Sequence, residues 1–345
     1  MKVLAGDVGG THARLAAVDV DGTNVRIDRL HEYRSRAFPA LAPIVVDFIA
    51  RGGESFERAV FGVACPVAGG DCVTPNLPWK VSARAIATAS GIAATAVIND
   101  LHAMAYGVTR MLPADLVALQ DAEPARHGVI ALIGAGTGLG QAFLVWDGAR
   151  YRAIASEGGH ATFAPRTESE WALCTALARE HGHVSCERVV SGPGIENIYR
   201  FLAAAAGARV DPAVAAAVGR EGAPAISRHG IDRSDPLCAA AVDMFIAAYG
   251  AQAGNLALHV LATGGVYLVG GIAKAMAARL RDGIFITAFR DKGRMGELLG
   301  KIPVNVVVNA HIGLIGAAVA ACEDVPERDI SGASAPNEKR TLGAS

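Results

Sequence analysis

This sequence of 345 residues has almost no net charge (−1 at pH 7) and few aromatic residues (6%). It offers no basic face, which disfavours nucleic acid and anionic membranes as general partners. Its six cysteines (Cys65, Cys72, Cys174, Cys186, Cys238, Cys322) show no C-x-x-C spacing, so the zinc-knuckle and disulfide-framework readings both fail. The nearest approach to a metal-ligand cluster is His181, His183 and Cys186 in HGHVSC, which reads as a helix end followed by a loop. The N-terminus has a single Lys2 and enters a strand-like run with Asp7, unlike a signal peptide. The longest apolar region, 237–265, is broken by Asp243, Gln252, Asn255 and His259, which suits a buried helix better than a membrane span. The expected protein is soluble and cytoplasmic.

What is abundant is apolar residue, 52% of the chain, enough for two domains or for one large domain with a cleft. Strands are expected at 2–8, 13–20 and 23–30, with Asp21-Gly22 turning the last pair. A helix follows over 38–53, then a strand at 58–65 closed by Pro66. A short helix is expected over 82–91, capped by Ser82 and stopped by Gly91, then a strand at 94–100. The next helix begins at Asp100, whose side chain can cap it.

A second β-rich start follows, with strands at 127–134, 141–148 and 151–156 around the glycine loop 135–140. Thr167-x-x-Glu170 is a capping box opening a helix to about Gly182. Helical sequence runs to Thr263, then strand 264–271 enters helix 272–282, with a last strand at 303–309 and a last helix at 312–322. After Pro326 the chain is polar and aperiodic, a tail expected to be disordered. Both halves begin with strand, glycine turn and strand, which suggests a duplicated α/β unit.

Two glycine turns raise a chemical question. DVGGTH contains Asp7, Gly9, Gly10 and Thr11; GAGTGLG places Gly134, Gly136, Gly138 and Gly140 on alternate positions around Thr137. The second loop matches neither the dinucleotide fingerprint nor a Walker A loop. Each turn is followed by a period-2 pattern rather than a helix. Each is therefore either a flexible turn or a hairpin tip whose backbone N–H groups face an anion. Their occurrence once per half favours a phosphate clamp.

The stretches GDVGGTHAR, INDLHAMA, GAGTGLG, EGGHATFAP, ERVVSGPGIENIYR and LVGGIA together resemble the bacterial glucokinase family. That family belongs to the actin-like superfamily of hexokinases, sugar kinases and chaperone ATPases, and the resemblance runs from about residue 2 to 321. It implies an α/β fold of two RNase H-like domains with an interdomain cleft. The expected division is 1–110 with 311–325, then 111–310, and a tail over 326–345. The chain lacks the C-x-C-G-x-x-G-C zinc motif of the neighbouring repressor/open-reading-frame/kinase (ROK) family.

The resemblance implies transfer of the ATP γ-phosphate to the 6-hydroxyl of glucose, with Asp100 accepting the proton. Without it, Asp100 reads more readily as a helix cap. Asn99, Asp100, Glu157, His160 and Glu187 would bind glucose hydroxyls, Gly138 adding a backbone contact and Asn76 a weaker candidate. Gly6, Asp7, Val8, Gly9, Gly10, Thr11, Gly136 and Thr137 would meet the nucleotide phosphates, and Gly270 and Gly271 the adenosine. Asp7 would orient Mg²⁺, directly or through water. A homodimer is implied. His12 stands where the family pattern usually has asparagine, so the imidazole either reaches a phosphate or packs beside the cleft. A non-enzymatic sugar sensor and a kinase of another hexose or N-acetylhexosamine are the competing readings.

Overall fold

The computed structural model describes residues 1–74, 77–206 and 210–323. Asn76 and the tail expected over 326–345 lie outside the described residues. The chain divides into two compact units, Met1–Ala103 rejoined from Gly313 onward, and Met104–Ile312.

The first unit contains β1 (Lys2–Val8), β2 (His12–Asp21), β3 (Asn24–Arg34), β4 (Arg58–Val63), β5 (Asp71–Val73), β6 (Lys80–Ser82) and β7 (Thr95–Asn99). Its main sheet runs β3-β2-β1-β4-β7. The first three strands are antiparallel, and β1, β4 and β7 are parallel. The central strands β1 and β4 are almost continuously buried, whereas the edge strand β3 alternates. That contrast is expected when only the parallel strands are covered on both faces. Helix Leu41–Gly52 turns Leu41, Ile44, Val45 and Phe48 inward, one helical face, onto a core with Phe61 and Trp79. Ser82 caps helix Ala83–Ser90 by accepting from the Ala85 N–H.

The second unit contains β8 (Leu116–Gln120), β9 (Ile130–Ala135), β10 (Leu139–Trp146), β11 (Tyr151–Ser156), β12 (Gly265–Val269) and β13 (Val304–Val307). The sheet order is β11-β10-β9-β12-β13-β8. Again three antiparallel strands lead into parallel ones, here β9, β12 and β13. The two units thus share one order over five strands, with β8 added at the edge of the second sheet, despite lacking an evident sequence repeat. Helix Pro236–Val260 lies in the core of this unit, with Phe245, Tyr249 and Ala253 fully buried. Among the described residues it is the one helix long and apolar enough to cross a membrane, and most of it is buried in the protein.

Several expectations need correction. Cys65 and Cys72 form a disulfide, although their spacing gave no framework signal. The intervening chain doubles back through a bridge between Ala68 and Asp71, which brings the two residues together. Strands β5, β6 and β8 were not expected; β5 and β6 pair antiparallel with each other, and β8 pairs antiparallel with β13 at the sheet edge. The capping box is only half as anticipated. Thr167 accepts from the Glu170 N–H, but the Glu170 carboxylate reaches Arg166, binding its backbone N–H at 2.7 Å and its guanidinium at 2.9 Å.

Candidate active site

In the first unit, the turn between β1 and β2 is braced from the end of β3. The Gly9 N–H donates to the His12 carbonyl, the Ser35 N–H to the Thr11 carbonyl, and the Ser35 hydroxyl to the Gly9 carbonyl. These bonds draw mainly on carbonyls and hold a tip with Thr11 exposed. Val8 is buried, so only its backbone can serve a ligand, and Gly6 packs against the Phe61 ring.

Asp7 is half-buried on β1, opposite Arg14 of β2. The Arg14 guanidinium lies 3.9 Å from its carboxylate and donates to Glu32 at 2.6 Å. His12 faces the same Glu32 at 3.8 Å. The structure thus gives His12 a carboxylate neighbour.

Asp100 follows β7 and opens helix Asp100–Val108. The cap is shared: Asn99 Oδ1 accepts from the Leu101 and His102 N–H groups, and Asp100 Oδ1 from the Leu101 N–H at 2.8 Å. Asn99 therefore carries most of the capping expected of Asp100. Its Nδ2 also donates to the Cys65 carbonyl, which ties this corner to the disulfide segment. Burial, reinforced by the negative charge of Asp7, pushes the Asp100 carboxyl up to about 6 against the pull of the Leu101 N–H. A carboxylate poised there suits a general base near neutral pH.

In the second unit, the β9–β10 tip is three residues, Gly136 to Gly138, closed by the Gly136 N–H donating to the Gly138 carbonyl. It borders a cavity of about 620 Å³ walled by Gly136, Thr137, Gly192, Ile195, Glu196, Ala223, Gly271, Ile272 and Met276. That size suits a small ligand, and the aliphatic side chains offer faces for a flat ring. Gly270 has φ +93°, a conformation that favours glycine, and starts the turn into helix Gly271–Ala275.

Gly158–His160 form one 3₁₀ turn after β11, with Glu157 and His160 exposed and 3.8 Å apart. Gly159 lies flat on β10, where a Cβ would meet the Leu139 carbonyl at 1.9 Å. The Glu187 carboxylate accepts from the Leu139 N–H at 3.0 Å. Glu157, His160 and Glu187 thus sit on segments packed onto the start of β10, beside the glycine tip. His181 ends helix Glu168–His181, and His183 lies 3.2 Å from the His160 carbonyl. Cys186 is buried, its thiol donating to Gln252.

Of the cavity wall, sequence reasoning singled out Gly136 and Thr137, and Gly271, Ile272 and Met276 lie in the stretch 268–276 expected beside the adenosine. Gly192, Ile195 and Glu196 fall in ERVVSGPGIENIYR, so a signal was present; Ala223 carries none, because a small wall residue looks like any core residue.

The two mixed sheets, each entered through a glycine tip, define a protein of the actin-like two-domain fold. A family profile described as Glucokinase matches residues 4–324. A glucokinase of Synechocystis sp. is 41% identical, covering 94% of this chain and 98% of its own. The crystal structure of a glucokinase from an Antarctic psychrotroph superimposes with a TM-score of 0.82 at 32% identity, covering 94% and 99% of the two chains. A ROK family glucokinase from Streptomyces griseus, in complex with glucose and AMPPNP, shares the fold at a TM-score of 0.65 and 22% identity, covering 94% and 100%. The chain belongs to the glucokinase family, whose members are sugar-phosphorylating transferases.

Proposed function

We propose that the chain transfers the γ-phosphate of ATP to the 6-hydroxyl of glucose, giving glucose 6-phosphate and ADP. The observation that carries this reading is the half-buried Asp100 carboxyl at the start of helix Asp100–Val108, raised to about 6 by burial and by the charge of Asp7. The glucose O6–phosphorus bond forms as the bond from phosphorus to the β,γ-bridging oxygen breaks. Asp100 takes the proton that O6 loses. Asn99, Glu157, His160 and Glu187 orient the hydroxyls, since carboxylates accept from hydroxyls while amide and imidazole can do either. Gly138 adds a backbone contact to the sugar.

The nucleotide phosphates are assigned to the turns Gly6–Thr11 and Gly136–Thr137, and the adenosine to the cavity beside Gly270 and Gly271. Such a transfer depends mainly on positioning and charge stabilisation. Among the described residues no group of three or more His, Cys, Asp or Glu side chains could hold a metal. Mg²⁺ is usually held by one or two carboxylates together with substrate phosphates, and half-buried Asp7 offers one carboxylate beside the first glycine turn. Asp7 would orient it, and when bound it neutralises phosphate charge.

Glucose-dependent ADP release with MgATP tests the reading. Turnover is expected with glucose and is expected to stop when EDTA removes the metal. Comparing kcat/KM for glucose, mannose, fructose and N-acetylglucosamine should rank glucose first; sugar binding without any turnover would instead favour a sensor. The reading extends to a cytoplasmic homodimer. Light scattering should give twice the chain mass, and a monomer at micromolar concentration would refute that part.

A further inference from the structure

The Glu187 carboxylate has two oxygens, and its Oε2 already accepts the Leu139 N–H. Leu139 is the first residue after the glycine tip. Gly138 makes the approach possible, for a Cβ there would stand 2.4 Å from Glu187 Oε2. The other end of the tip is held by the same short segment, because the Gly192 N–H donates to the Gly136 carbonyl at 2.8 Å. The segment is itself stiffened: the Ser191 hydroxyl donates to the Glu187 carbonyl at 2.7 Å and accepts from the Gly194 N–H at 3.0 Å. Glu187 to Gly192 therefore grips both ends of a tip that, left alone, would sample many backbone conformations.

We propose that Glu187 is a positioning residue for the nucleotide phosphates as well as a sugar ligand. Through Oε2 it fixes the Gly136–Gly138 tip before any ligand arrives, leaving Oε1 for a sugar hydroxyl. A tip ordered in advance does not have to be ordered by the phosphate, so binding is tighter. An N–H donating to a carboxylate is among the stronger hydrogen bonds available for this purpose. The inference rests on the reading of Glu187 and of the tip given above.

The test is titration of MgAMPPNP by calorimetry with no sugar present, so that loss of a sugar contact cannot contribute. Glu187→Ala should bind MgAMPPNP about tenfold more weakly than the unaltered protein. Glu187→Gln keeps an oxygen for the Leu139 N–H and should bind it within about twofold, while its glucose affinity falls because the amide replaces an acceptor with a donor. Gly138→Ala, whose Cβ displaces Oε2, should weaken MgAMPPNP as Glu187→Ala does. Should Glu187→Ala fail to fold, amide hydrogen exchange on Glu187→Gln and Gly138→Ala decides: Leu139 should stay protected in the first and lose protection in the second. Unchanged sugar-free affinity in Glu187→Ala, or equal loss in the Gln and Ala variants, overturns the proposal while leaving the proposed function standing. If the unaltered protein binds no MgAMPPNP, the assignment of the tip fails, and this inference with it.

Discussion

Asp100→Asn is expected to lower kcat by about 10²- to 10⁴-fold, the span a positioned general base contributes. Asparagine keeps the shape and the oxygen that accepts from the Leu101 N–H, so folding should survive. In the unaltered enzyme the base must be ionised. With its carboxyl raised to about 6, kcat/KM should fall as pH drops through that value and level off above it. The same shift predicts an effect on stability. A carboxyl with a raised folded-state value is protonated more readily in the folded chain than in the unfolded one. Ionised Asp100 therefore costs the native state stability above about pH 6, and the cost vanishes below about pH 4, where both states hold the proton. At pH 8 Asp100→Asn should be more stable by on the order of 2 kcal/mol, the gap closing in acid. Thermal melts at the two pH values, run beside the kinetics, check this. A variant with unaltered turnover would remove Asp100 from its assigned role, and one less stable at pH 8 would refute the raised carboxyl.

Phe285→Ala is expected to destabilise the second unit by about 3–5 kcal/mol, lowering its melting point by roughly 10 °C. Phe285 is fully buried, edge-on to Tyr249 at 5.7 Å and stacked on Phe289. The helices around it cannot close in, because Gly250 already lies so near that a Cβ would stand 2.2 Å from the Phe285 carbonyl. The cavity left by the ring would therefore persist. The loss should also reach the site. Tyr249 donates its hydroxyl to the Ile133 carbonyl and accepts from the Ala135 N–H, bracing β9 just before the glycine tip. Sugar-free MgAMPPNP affinity should fall alongside the melting point. A change below about 1 kcal/mol would mean that the core repacks around the gap.

The corrected and the confirmed elements differ in the range of the interactions behind them. Helix Ala83–Ser90, with its cap at Ser82, and the hairpin at Asp21-Gly22 depend on neighbours in sequence, and both stand where composition and periodicity put them. Strand β8 was missed because only pairing with β13, far along the chain, gives it a role. The Cys65–Cys72 bond was missed because it depends on how the intervening loop folds back. Asp100 and Glu187 could each be read as an ordinary cap or a solvated carboxylate, and the sequence pattern singled them out only through the family they resemble.

By itself the sequence determined the α/β class, the order of the main-sheet strands other than β8, and the two glycine turns. These follow from periodicity, turn chemistry and motif order, all of which act over short stretches of chain. The tertiary structure decided which groups share a carboxylate and which are raised by burial. Glu187 meets the Leu139 N–H across 48 positions, and Asp100 stands near Asp7 across a sheet. Such pairings depend on long-range packing and local desolvation, which neighbouring residues alone do not specify.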